Sequence, residues 1–399
     1  MTPETTIPES TAYGRAEPTF FEELTRVGAG TPMGELFRRY WHPVGLVSDA
    51  AATPRLIKVL GEDLILFRDG TGRPGLLHPR CAHRGASLYY GRVEEKGIRC
   101  CYHGWMFAVD GTCVEQPCEP DMGAATCGKV RQPHYPVQEL YGLIFAYMGP
   151  PEKQPVLPRY DVLENLAPGE FIEADDSSIG SGGPQIVPCN WLQHYENVMD
   201  PFHVPILHGS FSGNQFIAKM ALMPRVTFEY TERGVRSIQL RDVEGGTHRR
   251  ITEAVLPAVR AVASPRAEVD GPCSLLGWVL PIDDTTFRIY TAGRVTEAGA
   301  LAKIRSHYNG KLWHELTEAE HQAFPGDYEA QVSQGAITFH SEENLTSTDQ
   351  GIAMLRRVYR RQLDAIKAGK DPMGVTFDPD KALVHLDAGS IVELTEATA

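Results

Sequence analysis

Two short segments rich in cysteine and histidine constrain this chain more than any other feature. The first is Cys81-Ala82-His83, and the second, Cys100-Cys101-Tyr102-His103, follows after sixteen residues. Together they supply two thiolates and two imidazoles on two loops, which is the ligand set of a [2Fe–2S] cluster with two cysteines on one iron and two histidines on the other. Gly85 and Gly104 lie beside the histidines, where a tight loop tip favours a residue without a Cβ atom.

A tetrahedral zinc site is the alternative for the same four side chains, because two cysteines and two histidines also form a zinc ligand set. Zinc sites usually combine a cysteine pair with a histidine pair, whereas each segment here mixes one ligating cysteine with one histidine. The spacing therefore favours the iron–sulfur cluster. Cys101 is predicted to be a loop thiol that stays uncoordinated.

A second group of candidate metal ligands lies in Asp200-Pro-Phe-His203-Val-Pro-Ile-Leu-His208. Two histidines and one carboxylate with open coordination positions are the ligands of non-haem Fe(II) oxygenases. In a regular helix His203 and His208 would diverge by well over a quarter turn. Pro205 removes a backbone donor between them, so a bent or π-like turn is predicted to bring both rings to one iron. Alone, two loop histidines bound to backbone carbonyls would explain the segment equally well, but beside the cluster motif an iron site is favoured.

The carboxylate ligand is expected far downstream. Asp349 lies three residues before Ile352, on the face of a predicted helix that carries apolar residues at 3,4 spacing. A carboxylate on an inward face is costly unless it is paired or metal-bound, whereas an aspartate in the first turn could instead interact with the helix N–H groups. Glu342 and Glu343 are the competing candidates.

The cluster segment also resembles a known family. Residues 81–87 and 100–111 resemble the Rieske segment of the Rieske non-haem iron oxygenases, and residues 30–44 are similar to the opening segment of phthalate-dioxygenase-type oxygenase components. The resemblance implies an α+β protein, with an N-terminal all-β Rieske domain and a C-terminal α+β catalytic domain built on a helix-grip antiparallel sheet. On the run Glu343-Asn-Leu-Thr-Ser-Thr-Asp349, it favours Asp349 as the third ligand of the mononuclear iron.

The resemblance further implies roles for two residues near the histidine pair. Asp200 is expected to bridge His103 of an adjacent subunit to the iron site and to contact His203 of its own chain. This role is compatible with Asp200 as an N-cap before a proline. Asn197 is similar to the family's asparagine near the iron. A homotrimer or a stack of two trimers is expected, because a ring of subunits shortens the path between cluster and iron.

The remaining pattern divides the chain into three parts. Residues 1–40 are predicted to be a tail with short helices, residues 41–150 the Rieske domain, and residues 151–399 the catalytic domain. In the second part, short strand-like runs alternate with turns such as Asp69-Gly70 and Asp110-Gly111, and prolines from Pro150 onward mark its end. In the third part strands group between predicted helices at 190–199, about 297–307 and about 350–368, which favours an α+β arrangement.

Composition limits the partners and the location. The formal net charge of −13 argues against a nucleic-acid partner. No apolar run approaches the length of a membrane span, and the N-terminus lacks the order of a signal peptide, so we expect no membrane partner and a cytoplasmic protein. Gly28-Ala29-Gly30 is not a dinucleotide motif, because Met33 occupies a position that requires glycine. Electrons from NAD(P)H must therefore come through another protein.

The function predicted from these features is that of a terminal oxygenase component. A separate NAD(P)H-dependent reductase, with or without a ferredoxin, would supply electrons, and O₂ would be used to hydroxylate or dihydroxylate an aromatic carboxylate or aryl ether. O-demethylation or another monooxygenation at the same site is the alternative. A Rieske electron carrier without oxygenase activity belongs to a different class and leaves residues 200–208 unexplained. A carboxylate substrate would call for an arginine in the pocket, for which Arg225, Arg241 and Arg266 are candidates.

Overall fold

A computed structural model describes residues 16–176, 184–213, 215–266, 270–303 and 310–394. Two short helices, Glu22–Thr25 and Pro32–Phe37, precede three small antiparallel sheets. The strands of these sheets are, in spatial order, Trp41–Leu46, Leu143–Tyr147 and Val137–Leu140; Arg55–Val59, Glu62–Arg68, Pro74–Leu77 and His134–Tyr135; and Arg92–Glu94, Gly97–Arg99, Met106–Phe107 and Cys113–Glu115. The expected all-β N-terminal part is therefore present.

The two turns predicted at Asp69-Gly70 and Asp110-Gly111 both form, and in each the aspartate side chain accepts hydrogen bonds from backbone nitrogens that follow it. Asp69 Oδ1 accepts from the backbone nitrogens of Thr71 and Arg73 at 3.0 and 2.9 Å, and Asp110 Oδ1 accepts from that of Thr112 at 3.0 Å. Gly111 has a φ of 79°, and a Cβ atom there would lie 2.1 Å from the backbone oxygen of Gln132. Glycine is therefore required at this turn.

The C-terminal part is built on one large antiparallel sheet and several helices, which confirms the α+β fold class. The sheet runs, in spatial order, Phe171–Asp175, Phe287–Val295, Leu275–Pro281, Val259–Val262, Gly246–Val255, Gly234–Val243 and Arg225–Thr231, with Gly389–Leu394 and Gly271–Pro272 attached at one corner. Arg159–Tyr160 pairs with Leu383–Val384 separately. The α-helices are Trp191–Asn197, Ala300–Lys303, Glu318–Ala323, Asp327–Val332 and Gln350–Lys367, and Val204–Phe211 is a π-helix. Residues 304–307 of the helix predicted at about 297–307 lie outside the described residues.

Two helices are fixed to one face of the large sheet. In the helix Gln350–Lys367, Gly351 lies so close to Phe228 of the sheet that a Cβ atom would come within 2.4 Å of its ring, and Tyr359 donates its hydroxyl to the backbone oxygen of Pro257. In the helix Trp191–Asn197, Tyr195 donates its hydroxyl to the backbone oxygen of Val255 at 2.6 Å. The segment that follows Asn197, which carries the histidine pair, is thereby held over the same face.

A buried ion-pair network joins these two helices. Arg356 is 4% exposed. Its guanidinium donates to the Glu196 carboxylate at 2.5 and 2.7 Å and to the Glu343 carboxylate at 2.6 and 2.8 Å. Burial raises the pKa of Glu196 even beside the guanidinium, so this carboxylate depends on Arg356 for its charge compensation.

We expect Arg356→Met to destabilise the protein by about 3–5 kcal/mol, because it leaves a buried carboxylate without its partner. Urea unfolding followed by tryptophan fluorescence measures the effect. Arg360→Met is the matched control on the same helix: its partner is Glu23, both side chains are 42% exposed, and the expected change is below about 1 kcal/mol. Equal shifts for the two variants would contradict the argument.

Candidate metal centres

The two cysteine–histidine segments form two loops of the same construction. The backbone nitrogen of Cys81 donates to the oxygen of Ala86 at 2.9 Å, and that of Cys100 donates to the oxygen of Trp105 at 2.8 Å. Inside each loop a glycine nitrogen returns to the cysteine oxygen, from Gly85 at 2.8 Å and from Gly104 at 3.1 Å. Both glycines have a positive φ, 76° and 72°, so the predicted glycine requirement is met.

The loops place the thiols inside and the imidazoles outside. Cys81 and Cys100 are 4% and 3% exposed, and burial, together with the neighbouring Cys100, raises the pKa of Cys81 to about 11. The rings of His83 and His103 lie at the tips of the loops with their centroids 4.7 Å apart, and His83 stacks on Trp105 at 4.4 Å. Two adjacent buried thiols and two adjacent histidines fit the two irons of a Rieske cluster.

Two polar side chains that the sequence analysis missed hold these loops. Gln132 is fully buried; its amide donates to the backbone oxygens of His78 and Arg80 at 2.8 and 2.9 Å and accepts from the nitrogen of Ala82 at 2.7 Å. Arg99 donates to the oxygen of Gly104 at 2.7 Å.

The guanidinium of Arg99 is itself fixed by Glu94 and Glu115 at 2.8 and 2.6 Å. Each loop therefore has one side chain that holds its backbone in place.

Every cysteine in the structure is a free thiol, and Cys101 is exposed.

We expect Cys81→Ser or His103→Ala to remove the visible absorption of the [2Fe–2S] cluster, because each takes one of four ligands from the loops. Cys101→Ser is the control, since this thiol is exposed whereas those of Cys81 and Cys100 are buried, and the spectrum should be unchanged. Optical and EPR spectra of the purified variants test the assignment. An intact Rieske EPR signal in Cys81→Ser would overturn it.

The second candidate centre is formed by His203, His208 and Asp327. Their potential ligand atoms all lie within 4.8 Å of one another. Asp327 Oδ1 lies 3.5 Å from His203 Nε2 and 3.2 Å from His208 Nε2. The histidine pair is brought together as predicted, because Val204–Phe211 is a π-helix with Pro205 in its first turn, and i→i+5 geometry places residues five apart on one side.

The carboxylate at this centre is not the one favoured by the sequence. Asp349 belongs to the turn Ser347–Asp349 that precedes the C-terminal helix, and its carboxylate accepts from the backbone nitrogen of Thr346 at 2.7 Å. It is satisfied locally and is not among the ligand atoms that lie close to both histidines, so the placement of Asp349 at this centre is corrected. Among its competitors, Glu343 is engaged by Arg356, and neither it nor Glu342 belongs to the group of three ligand atoms.

Asp327 is free to face the histidines because a neighbour performs the helix-capping role. It is the first residue of the helix Asp327–Val332, and the backbone nitrogen of Gly326 donates to Glu329 at 2.7 Å. The sequence signal for Asp327 is that two acidic residues, Asp327 and Glu329, lie in the first turn of one helix, although a capping interaction uses only one of them. Burial alone would raise the pKa of Asp327, but His208 and His203 hold it well below its usual range, so the carboxylate is anionic.

The side chains around the histidines determine which ring nitrogen points at Asp327. His208 Nδ1 lies 2.6 Å from Gln215 Oε1, and His203 Nδ1 is hydrogen-bonded to the backbone oxygen of Asp200. Each Nδ1 therefore carries the proton, which leaves both Nε2 atoms available to a metal. Gln215 was not anticipated from the sequence.

Asn197 and Asp200 both lie at this centre. Asn197 Nδ2 is 3.3 Å from Asp327 Oδ1 and 3.4 Å from His203 Nε2. Asp200 Oδ1 accepts from the backbone nitrogens of Phe202 and His203 at 3.0 and 3.3 Å, and its Oδ2 lies 3.6 Å from His203 Nδ1. The predicted contact of Asp200 with His203 of its own chain is therefore present.

A cavity of about 190 Å³ opens beside the three side chains. An engineered cavity of about 150 Å³ in another protein binds benzene, so there is room for a small aromatic molecule. Its apolar lining includes Val204, Phe216, Met220, Val262 and Leu275. Its polar lining includes three arginines that are described below.

The arginines of the cavity differ in part from those proposed from the sequence. Arg225 is exposed and paired with Asp242 at 2.6 Å, so it takes no part, and Arg241 is fully buried just behind the cavity wall. Arg266 lines the cavity as proposed. Arg250 and Arg260, which sequence reasoning missed, line it as well.

Known proteins resemble this chain over nearly its whole length. The family model described as the Rieske [2Fe-2S] domain matches residues 40–136. "Phenoxybenzoate dioxygenase subunit alpha" of Ectopseudomonas oleovorans is 50% identical over 382 residues, covering 94% of this chain and 92% of that protein. This chain is a Rieske non-haem iron oxygenase.

Two further comparisons agree with this assignment. The phthalate 4,5-dioxygenase oxygenase subunit of Pseudomonas putida is 31% identical to this Rieske oxygenase over 397 residues, covering 88% of this chain and 87% of that protein. Among solved structures, Pseudomonas putida CBB5 NdmA with caffeine superposes with a TM-score of 0.62 at 19% identity, covering 88% of this chain and 99% of that chain. The latter likeness concerns the fold.

The Rieske oxygenase is the terminal oxygenase component of a multicomponent system, and its cofactors are a [2Fe–2S] cluster and a mononuclear iron. The donor sets fit both: adjacent buried thiols with adjacent histidines for the cluster, and two imidazole Nε2 atoms with one anionic carboxylate for the iron. Within the described part of the chain, the helices are too short or too polar to cross a membrane.

Proposed function

We propose that this Rieske oxygenase inserts oxygen from O₂ into an aromatic acid or an aryl ether. The observation that carries the proposal is the cavity, which joins His203, His208 and Asp327 to apolar walls and to the buried Arg250. Apolar walls suit an aromatic ring, and a buried guanidinium that makes no salt bridge within the described residues suits an anionic substituent. The names of the two relatives, phenoxybenzoate and phthalate dioxygenase, both refer to aromatic acids and support this substrate class.

The ligand residues have separate tasks. Cys81 and Cys100 would hold one iron of the cluster and His83 and His103 the other, and the second centre would hold the mononuclear iron through its two histidines and Asp327. When bound, these groups supply one-electron transfer and O₂ activation.

The other residues of the iron site act by positioning. Gln215 and the backbone oxygen of Asp200 fix the tautomers of the two histidines, and Phe216 packs against the His208 ring at 4.3 Å. Asn197 donates to Asp327 and thereby orients its carboxylate. The apolar wall limits water beside the site, which strengthens these interactions.

Electrons are proposed to arrive from a separate NAD(P)H-dependent reductase, with or without a ferredoxin, and to pass between subunits of a trimer or a stack of two trimers. His103 lies at the tip of its loop, half-buried, and Asp200 keeps 31% of its side chain exposed at the edge of the iron site. Both are therefore accessible to a neighbouring copy. In this arrangement Asp200 would accept a hydrogen bond from His103 of the adjacent chain.

Single turnover under ¹⁸O₂ tests the proposed reaction. The chemically reduced protein, loaded with iron, is mixed with 3-phenoxybenzoate, and the products are analysed by mass spectrometry. Two ¹⁸O atoms in one product indicate dihydroxylation, and one ¹⁸O atom in a ring-hydroxylated product indicates monooxygenation. Conversion of a methoxybenzoate to the hydroxybenzoate with release of formaldehyde indicates the O-demethylase type of reaction, because the inserted oxygen leaves with the formaldehyde. Absence of both labelled product and demethylation with 3-phenoxybenzoate, phthalate and methoxybenzoates would contradict the proposal.

A further inference from the structure

The wall of the cavity that the large sheet forms carries a surplus of positive charge. Strand pairing places Gln239 opposite Arg250, Arg241 opposite His248, and Ala254 opposite Arg260. Residues directly opposite in a sheet share a face, as do residues two apart on one strand, so the three arginines lie on one face of the sheet. This is the face that borders the cavity.

Arg250 is the most deeply buried arginine that reaches the cavity. It is 4% exposed, and among the described residues its one hydrogen bond runs from Nη2 to the backbone oxygen of Ala263. Burial lowers the pKa of Arg250 to about 10, which still leaves a cation at neutral pH. The nearby carboxylate of Asp270 is engaged elsewhere, with Lys219 at 2.6 Å and His248 at 3.5 Å.

Arg241, which is hydrogen-bonded to the Gln239 that pairs with Arg250, adds a second buried cation. It is fully buried; its Nε donates to the backbone oxygen of Leu222 at 3.0 Å and its Nη2 to Gln239 Oε1 at 3.1 Å. Its Nη1 has no hydrogen-bond partner in the described part of the protein. Two buried guanidinium groups that make no salt bridge with any described residue are costly, and a bound anion would offset that cost.

Arg260 lies nearer to the iron site and is already compensated in part. The Asp327 carboxylate offsets part of the lowering that burial imposes on the pKa of Arg260, whereas for Arg250 the offsetting carboxylate is Asp270. Ala254, which faces Arg260, is four residues from Arg250 on the same strand, about 13 Å along it. The cavity thus has a near end beside the iron site and a cationic far end at Arg250.

We propose that Arg250, flanked by Gln239 and Thr252, binds the carboxylate of an aromatic acid and so directs the distal part of the substrate toward His203, His208 and Asp327. This inference rests on the proposed oxygenase function and adds the orientation of the substrate. A guanidinium can bind a carboxylate through two parallel hydrogen bonds, which fixes direction as well as position. Gln239 and Thr252 also line the cavity and supply further polar atoms.

The test is a binding measurement without turnover. Calorimetry on the iron-loaded, oxidised protein under anaerobic conditions compares 3-phenoxybenzoate with its neutral amide, 3-phenoxybenzamide. Arg250→Met should weaken binding of the acid by about 100-fold, because charge-assisted hydrogen bonds are lost, and should change binding of the amide by less than about 3-fold. Arg250→Lys should lie between, since it keeps the charge and loses the fork. Retained amide binding shows that the variant is folded.

Arg225→Met is the matched control, because Arg225 lies on the outer strand of the same sheet, exposed and paired with Asp242. It should bind both compounds like the unaltered protein. If Arg250→Met binds the acid normally, or if the unaltered protein does not prefer the acid to the amide, the anchor is wrong. Tight, Arg250-dependent binding of the acid without oxygenation would instead leave the anchor intact and overturn the proposed function.

Discussion

Asp327→Ala is expected to leave the Rieske cluster in place and to remove the mononuclear iron, so that iron falls from about three to about two atoms per chain. The reason is geometric: Asp327 Oδ1 lies 3.2 and 3.5 Å from the Nε2 atoms of His208 and His203, and within the described residues no other carboxylate joins this group. Oxygenation should fall to background. Iron analysis and the visible spectrum of the cluster, measured on the same sample, check both parts.

Asp349→Ala is the control that separates the structural assignment from the one favoured by the sequence. Its carboxylate accepts hydrogen bonds from Thr346 and lies outside the ligand group, so this variant should retain all of its iron and most of its activity. Loss of iron in Asp349→Ala combined with its retention in Asp327→Ala would restore the sequence-based prediction.

The second large effect is expected from Asp200→Asn. The asparagine oxygen can still accept from the backbone nitrogens of Phe202 and His203, which Asp200 Oδ1 does at 3.0 and 3.3 Å, so the local fold, the cluster and the iron should persist. The charge that would engage His103 of a neighbouring subunit is lost. We expect reoxidation of the reduced cluster by O₂ and substrate to slow by about 100-fold, the upper effect of one charge-assisted hydrogen bond.

Stopped-flow single turnover measures this rate, and sedimentation measures the assembly. The unaltered protein and the variant should both sediment as the same trimer or hexamer, because the substitution leaves the side-chain shape nearly unchanged. A catalytically competent monomer, or a normal single-turnover rate in Asp200→Asn, would contradict electron transfer between subunits through this residue.

The four ligands of the [2Fe–2S] cluster could be predicted almost completely from the sequence. Cys81 to His83 and Cys100 to His103 each lie within one tight turn, so spacing along the chain corresponds to proximity in space. Gln132 escaped prediction because it reaches the first loop from fifty residues away, as its contact with Ala82 illustrates.

The carboxylate of the second centre required tertiary structure. Asp327 is separated from His208 by 119 residues and comes from a different helix, so no local periodicity connects them. Asp349 was favoured because 3,4 spacing placed it on an inward helix face. The helix begins one residue later, at Gln350, and Asp349 has the backbone angles of the preceding turn, so the helical face does not extend to it.

The arginines of the cavity illustrate a similar limit. Arg241 stands between Leu240 and Asp242, and Arg250 between Arg249 and Ile251, so the neighbouring residues show no apolar alternation that marks either arginine as inward-facing. Their burial follows from the helices that cover this face, and only strand register shows that Arg250 and Arg260 share it.

Because a π-helix connects the two histidines, the geometry of the iron site depends on how many residues separate them rather than on which residues these are. Substitutions at residues 204–207 change packing but leave the two histidines five positions apart. Deleting a single residue there would let the backbone relax to i→i+4 hydrogen bonds, with every remaining side chain still present. A histidine spacing of four would again suit one face of an ordinary helix, but the segment after His208, including Gln215, would rotate by about 100° relative to Asp327. Related proteins with the same iron site should therefore differ freely in the residue types between the two histidines but rarely in their number.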